Sequence, residues 1–282
     1  MRQRMQFFAP AKINLSFKIL RRREDGFHEI DTLMTPISLK DEVTIEPDES
    51  EAALSFSSDD PTLPQDESNL VVRAARAFYR EMGAPPRARI FLRKCVPHGA
   101  GLGGGSSDAA STLLGLNELY GAPIAITRLT NLAAELGSDV PFFLAGSAAR
   151  CRGRGEIVEP VSTLPPLSLL LFKPEFGVPT PWAYQQWRDS RELPNVDYHP
   201  QRVAGLELVN DLERPVFQKY IFLARMKAWL RQQPEIAAAL LSGSGSTMFA
   251  ILRDASAGDA VAARARAQLD PNLWTFAADS LG

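Results

Sequence analysis

The residues richest in chemical possibility run Pro97-His98-Gly99-Ala100-Gly101-Leu102-Gly103-Gly104-Gly105-Ser106-Ser107-Asp108. Five glycines within the seven residues 99–105 are not packing residues. They free the backbone for positive φ and let a ligand come up against main-chain N–H groups. A helix starting at the serines would add unpaired donors and the positive end of its dipole, so the segment is expected to cradle phosphate. Gly99-x-Gly101-x-x-Gly104 formally satisfies the dinucleotide fingerprint, but no acidic residue follows in a suitable strand. A P-loop requires Gly-Lys-Ser/Thr, whereas Gly105 is followed by Ser106 and Ser107.

Three further clusters could do chemistry. In Gly137-Ser138-Asp139-Val140-Pro141 a carboxylate follows a helix end; it could act as a base, although from this segment alone a turn role is the better reading. In Pro10-Ala11-Lys12-Ile13-Asn14, Lys12 and Asn14 are two apart on a strand and share a face; alone, Lys12 reads as a snorkelling surface lysine. Leu241-Ser242-Gly243-Ser244-Gly245-Ser246 could bring backbone against a ligand or be a plain turn.

Elements must hold these residues in place. Apolar alternation at Ile13, Leu15, Phe17 and Ile19 predicts a half-buried strand beginning beside Lys12, turned at Asp25-Gly26. Extended segments are expected over 42–46 and 87–95, the latter leading into the glycines. Helices are expected over 69–82, from Leu70, Ala74, Ala77 and Phe78, over 107–119, and over 127–136 ending at Gly137. The acidic, Ser/Pro-rich stretch 48–67 is expected to be a solvated loop. Leu164-Pro165-Pro166 suggests a boundary between units 1–163 and 164–282. The second unit is expected to run strand 167–172, helices 181–191 and 215–231, strand 247–252, helix 257–269 and strand 273–277, an α+β arrangement.

Composition narrows the class. The 282 residues are 45% hydrophobic and 23% charged, as in ordinary globular proteins. Thirty-one basic against 33 acidic residues give a net charge of −2, no footprint for nucleic acid or an anionic membrane. The longest strongly apolar run, 167–172, is too short to span a bilayer, and the N-terminal stretch around Phe7 and Phe8 is too short for a leader's apolar region. Cys95 and Cys151 form no CxxC pair, so neither a disulfide framework nor a zinc site is expected and a cytoplasmic location fits.

In this order and spacing, the four clusters resemble the GHMP kinases, the superfamily of galactokinase, homoserine kinase and mevalonate kinase. Asp25-Gly26-Phe27-His28-Glu29 is similar to an element of one branch, which acts in the non-mevalonate route to isoprenoid precursors. The resemblance implies a ribosomal-protein-S5-like N-terminal domain and a ferredoxin-like C-terminal domain. It implies transfer of the ATP γ-phosphoryl group, with Mg²⁺, to the 2-hydroxyl of a cytidylyl-capped methylerythritol. Lys12 and Asp139 are then the implied catalytic residues. Pro97, His98, Gly99, Ala100, Gly101, Leu102, Gly103, Gly104, Gly105, Ser106, Ser107, Lys94 and Asn69 would meet ATP. Asn14, Phe27, His28, Thr180 and Tyr184 would meet the acceptor, with His28 on the cytosine edge and Phe27 and Tyr184 sandwiching the base. Phe27 stands where Tyr is usual, and Asp108 where Asn is frequent, placing a charge in the helix's first turn. Glu156 in Gly153-x-Gly155-Glu156 receives no role beyond loop support, no metal ligand is assigned, and a monomer or weak homodimer is expected. A kinase for another alcohol, of the homoserine or mevalonate type, and a non-catalytic nucleotide-binding module are the alternatives.

Overall fold

The computed structural model describes residues 4–48 and 54–281. Its first element is a long antiparallel hairpin of β1 (Met5–Arg22) and β2 (His28–Pro47), closed by a turn at Gly26 with φ +86°. The pairing breaks register between Pro10, opposite Lys40, and Lys12, opposite Pro36. Pro36 has no N–H for the ladder, and an irregularity of this kind twists the strand and re-aims its side chains. Ala11, Ile13 and Leu15 go into an apolar core, while Lys12 and Asn14, on the opposite face, are buried against a cavity.

The chain continues through β3 (Ser55–Ser58), α1 (Leu70–Met82), β4 (Ala88–Arg93), α2 (Gly104–Leu119), α3 (Ile126–Leu136), α4 (Val140–Ala145), β5 (Ala149–Gly153) and β6 (Ile157–Pro160). It follows with β7 (Ser168–Lys173), α5 (Thr180–Gln186), β8 (Gln201–Val203), β9 (Leu206–Asn210), α6 (Glu213–Lys219) and α7 (Ile221–Arg231). The last elements are β10 (Ile236–Leu241), β11 (Met248–Leu252), α8 (Gly258–Gln268) and β12 (Trp274–Asp279).

Two sheets result. The larger runs β3-β4-β2-β1-β9-β8, with β5 joining β2 and β6 joining β5; the smaller runs β10-β11-β7-β12. Helices α1 to α4 cover the larger sheet through a core containing Phe78, Leu113, Leu116 and Phe142. Strand β7 is apolar on both faces because both are covered. Leu169 and Leu171 meet Ile13 and Leu15 of the larger sheet, while Leu170 and Phe172 meet α5 to α8. This shared core fixes the two sheets against each other and so fixes what lies between them.

Several expectations need correction. Residues 55–58 of the stretch expected to be loop form β3, alongside β4; residues 49–53 of it lie outside the described residues. The helix expected over 215–231 is two helices, broken at Tyr220 (φ −106°, ψ 69°). That break lets Tyr220 stack on Phe176, centroids 5.3 Å apart, and lets Glu213 reach Lys227. The helix expected over 181–191 stops at Gln186. Strands β5, β6, β8, β9 and β10 were not expected, and β9 pairs in parallel with β1, so the larger sheet extends into residues after 163.

Candidate active site

Strand β4 delivers the chain to the glycine run, where Gly101 and Gly103 have φ of +76° and +70°. Close approach forces glycine at both. A Cβ on Gly101 would lie 2.2 Å from the Ser242 carbonyl oxygen, and one on Gly103 would lie 2.9 Å from the Phe143 ring. Helix α2 starts at Gly104, three residues before the expected start, because Gly103 in its left-handed conformation acts as N-cap. Its first N–H groups are therefore supplied by residues with little side chain to block an anion.

The small-residue loop after β10 is the loop's clamp. Ser242 Oγ donates to the Gly101 carbonyl (3.0 Å), and the Thr247 N–H donates to the Ala100 carbonyl (3.1 Å). Asn210 at the end of β9 ties this clamp down, its Nδ2 reaching the Leu241 and Gly243 carbonyls at 2.7 and 2.8 Å.

Lys12 is no snorkelling lysine; it is only 4% exposed. Its Nζ donates to Asn14 Oδ1 (2.6 Å) and to the Gly101 carbonyl (3.1 Å), and lies 3.8 Å from Asp139 Oδ2. Asn14 Nδ2 donates to Thr32 Oγ1 (2.8 Å), which donates to the Ser16 carbonyl (2.6 Å). An ammonium has three donors; two are spent on fixed acceptors, which aims the third at Asp139. Burial lowers the Lys12 pKa, and the Asp139 carboxylate works against that shift. Asp139 itself stands at the N-cap position of the short helix α4, at the end of the Gly137 turn, with no side-chain capping bond.

Under the start of α2 lies a buried triad that the sequence did not reveal. Asp41 accepts the N–H groups of Cys95 and Val96 (2.6 and 2.8 Å) and the Lys94 ammonium (2.5 Å). Lys94 also donates to Asp108 Oδ2 at 3.0 Å. Asp108 is not a charge exposed in the first turn: it is 2% exposed, and burial pushes its carboxyl up to about 8, against the pull of Lys94 and with the push of Asp41.

Every expected site residue except Ser107 lines one cavity of about 730 Å³. Ser107 is fully buried, its helical position turned away from the opening. Asn69 lines the wall while its side chain caps α1, accepting from the Val71 N–H at 2.9 Å. Thr180 Oγ1 and Ser244 Oγ share a hydrogen bond of 2.7 Å, joining α5 to the clamp. At the far end Tyr184 stacks on His28, centroids 5.2 Å apart, and Phe27 carries the Arg154 guanidinium 4.9 Å above its ring. The aromatic faces expected to sandwich a base are thus already in contact with other side chains of this chain. Burial, then Arg22, lowers the His28 pKa, which favours a neutral ring with one donor and one acceptor. Sequence reasoning missed Asp41, Thr32 and Asn210, which lie far along the chain from the groups they hold and belong to no motif.

A glycine loop on a helix N-terminus, a buried lysine against an aspartate, and a clamp from the second sheet define a GHMP-type small-molecule kinase. Residues 69–147 match the GHMP kinases N terminal domain and residues 201–270 the GHMP kinases C terminal family. The chain is 43% identical over 271 residues to the 4-diphosphocytidyl-2-C-methyl-D-erythritol kinase of Methylacidiphilum infernorum, covering 95% of this chain and 93% of that one. It is 43% identical over 282 residues to the one from Deinococcus radiodurans, covering 96% and 91%. A crystal structure of 4-(cytidine 5'-diphospho)-2C-methyl-D-erythritol kinase superposes with a TM-score of 0.79 at 37% identity, covering 99% of this chain and all of that one. Homoserine kinase from Cytophaga hutchinsonii, at 19% identity and a TM-score of 0.66, shares the fold. The chain belongs to the 4-diphosphocytidyl-2-C-methyl-D-erythritol kinase family.

Proposed function

We propose that this kinase transfers the γ-phosphoryl group of ATP to the 2-hydroxyl of 4-diphosphocytidyl-2-C-methyl-D-erythritol, with Asp139 and Lys12 at the reacting atoms. The observation that carries this reading is the Lys12–Asp139 pair, 3.8 Å apart, in the same cavity wall as the glycine loop. In an in-line displacement the acceptor oxygen bonds to the γ-phosphorus as the bond to the bridging oxygen of ADP breaks. Asp139 accepts or orients the hydroxyl proton, and Lys12 offsets charge on the transferring oxygens. Asn14 and the Gly101 carbonyl keep the ammonium in place, so little reorganisation is needed at the moment of transfer.

Residues 97–106 would wrap the triphosphate, with Lys94 and Asn69 towards the nucleoside. Mg²⁺ would arrive on the phosphates, which with water fill most of its shell and whose charge it neutralises. His28, Phe27 and Tyr184 would take the cytosine, and Thr180 and Asn14 the remainder of the acceptor. The two unpaired cysteines support a cytoplasmic enzyme.

The test is Asp139→Asn in a coupled ADP assay. A loss of about 10²- to 10⁴-fold in kcat with nearly unchanged acceptor KM is expected for a lost proton acceptor. Retention of more than a tenth of the parent kcat would remove Asp139 from the reacting centre.

A further inference from the structure

The hairpin between β5 and β6 carries a motif, Gly153-Arg154-Gly155-Glu156, that the reaction above leaves unused. We infer that Arg154 binds the diphosphate of the acceptor, and that Glu156 is the positioning residue that presents it. The inference rests on the acceptor proposed above.

The turn is built to aim one side chain. Gly153 and Gly155 have φ of +73° and +121°, conformations that fold the chain back on itself. Glu156 then returns its carboxylate to accept the Arg154 N–H at 2.6 Å, with its other oxygen 3.7 Å from Arg154 Nε. A Cβ on Gly153 would lie 2.9 Å from that carboxylate and would push it off its seat, so glycine, at home at φ +73°, leaves it in place. The result holds the Arg154 guanidinium over the Phe27 ring, 4.9 Å from its centroid, at the cavity wall. Among the described residues no hydrogen bond occupies the terminal guanidinium nitrogens, the pair that matches phosphate oxygens bidentately.

Position decides what anion it would meet. A Cβ on Gly155 would lie 3.7 Å from Asp139 Oδ1 and 3.5 Å from the Ser138 carbonyl oxygen, so the turn is seated against the catalytic segment. Its arginine lies over Phe27. Arg154 therefore bridges the residue proposed for the alcohol and the residue proposed for the base, and in the acceptor the diphosphate is the link between alcohol and cytidine. The other strong cations of the wall are committed elsewhere: Lys12 to Asn14, Gly101 and Asp139, Lys94 to Asp41 and Asp108.

The test compares inhibition by CDP and by cytidine in the parent, Arg154→Met, Arg154→Lys and Glu156→Gln, beside acceptor kinetics. In the parent CDP should bind more tightly than cytidine. In Arg154→Met that advantage should shrink by on the order of 10- to 100-fold, the range for hydrogen bonds to a charged group. Acceptor KM should rise by a similar factor, with kcat and ATP KM within about threefold. Arg154→Lys should recover part of the loss, since it keeps charge without the fork. Glu156→Gln should raise acceptor KM alone by a smaller factor. An unchanged CDP-to-cytidine ratio in Arg154→Met, with the parent active on the cytidylyl acceptor, overturns this inference and leaves the proposed function standing. A parent inactive on that acceptor overturns both.

Discussion

Asp108→Asn gives a test in which the sign of a pH effect is fixed by burial. Burial raises the Asp108 carboxyl to about 8, whereas in the unfolded chain it titrates near 3.9. Between those values the native state keeps a proton that the unfolded chain has lost, so stability falls as pH rises from about 4 to about 8 and is level beyond. The slope approaches about 1.4 kcal/mol for each pH unit. Asparagine keeps an oxygen for Lys94 and has no proton to lose, and Asp41 still accepts from the ammonium. Relative to the parent, Asp108→Asn should therefore gain stability progressively from pH 5 to pH 8, on the order of a few kcal/mol across that range and several degrees in Tm. Thermal or denaturant melts of both proteins at unit pH steps from 5 to 9 read this directly. Because Asp108 lines the cavity, ATP KM in the parent should also rise above pH 8 and stay flat in the variant. Parallel stability curves for the two proteins across that range would refute the buried-proton argument.

Two more expectations follow from named groups. With the His28 pKa lowered by burial and Arg22, acceptor KM should be level at neutral pH and rise only on the acid side of the ordinary histidine range, where the imidazolium loses its acceptor nitrogen. His28→Gln should show a higher but flat acceptor KM; the same acid rise in both proteins would exclude His28 as its source. Lys227→Met should destabilise the fold by about 3–5 kcal/mol, since it leaves Glu213 buried without its cation. Adding Glu213→Gln should restore much of that loss in denaturant melts, and no recovery would mean that packing, not charge, holds α6 to α7.

What the sequence disclosed was what lies close together along it. Lys12 with Asn14, the glycine run and the Asp139 turn each occupy a few consecutive residues, and alternation or glycine content marks them. Asp41 could not be found that way: it lies 53 residues from Lys94 and in the middle of a long strand. The same distance hid the meaning of Asp108, whose helical position is plain but whose carboxyl is buried only because β2 and β4 close over it. β2 itself was underestimated because Pro36 interrupts the pattern and its centre is buried on both faces, leaving no clean alternation to read. Strands β8 and β9 are short, and β9 gains its partner from β1, nearly 200 residues earlier. The aromatic end illustrates a further limit. Composition and resemblance name Phe27, His28 and Tyr184, but not that His28 stacks on Tyr184 while Phe27 carries Arg154.

The choice of acceptor is the claim on which the site assignments depend. ADP formation should be measured with Mg-ATP and 4-diphosphocytidyl-2-C-methyl-D-erythritol, beside homoserine and mevalonate at equal concentrations. Turnover with the cytidylyl alcohol, and kcat/KM for the other two lower by several orders of magnitude, is the predicted result. Comparable or faster turnover of homoserine or mevalonate, or none with the cytidylyl alcohol, would contradict it.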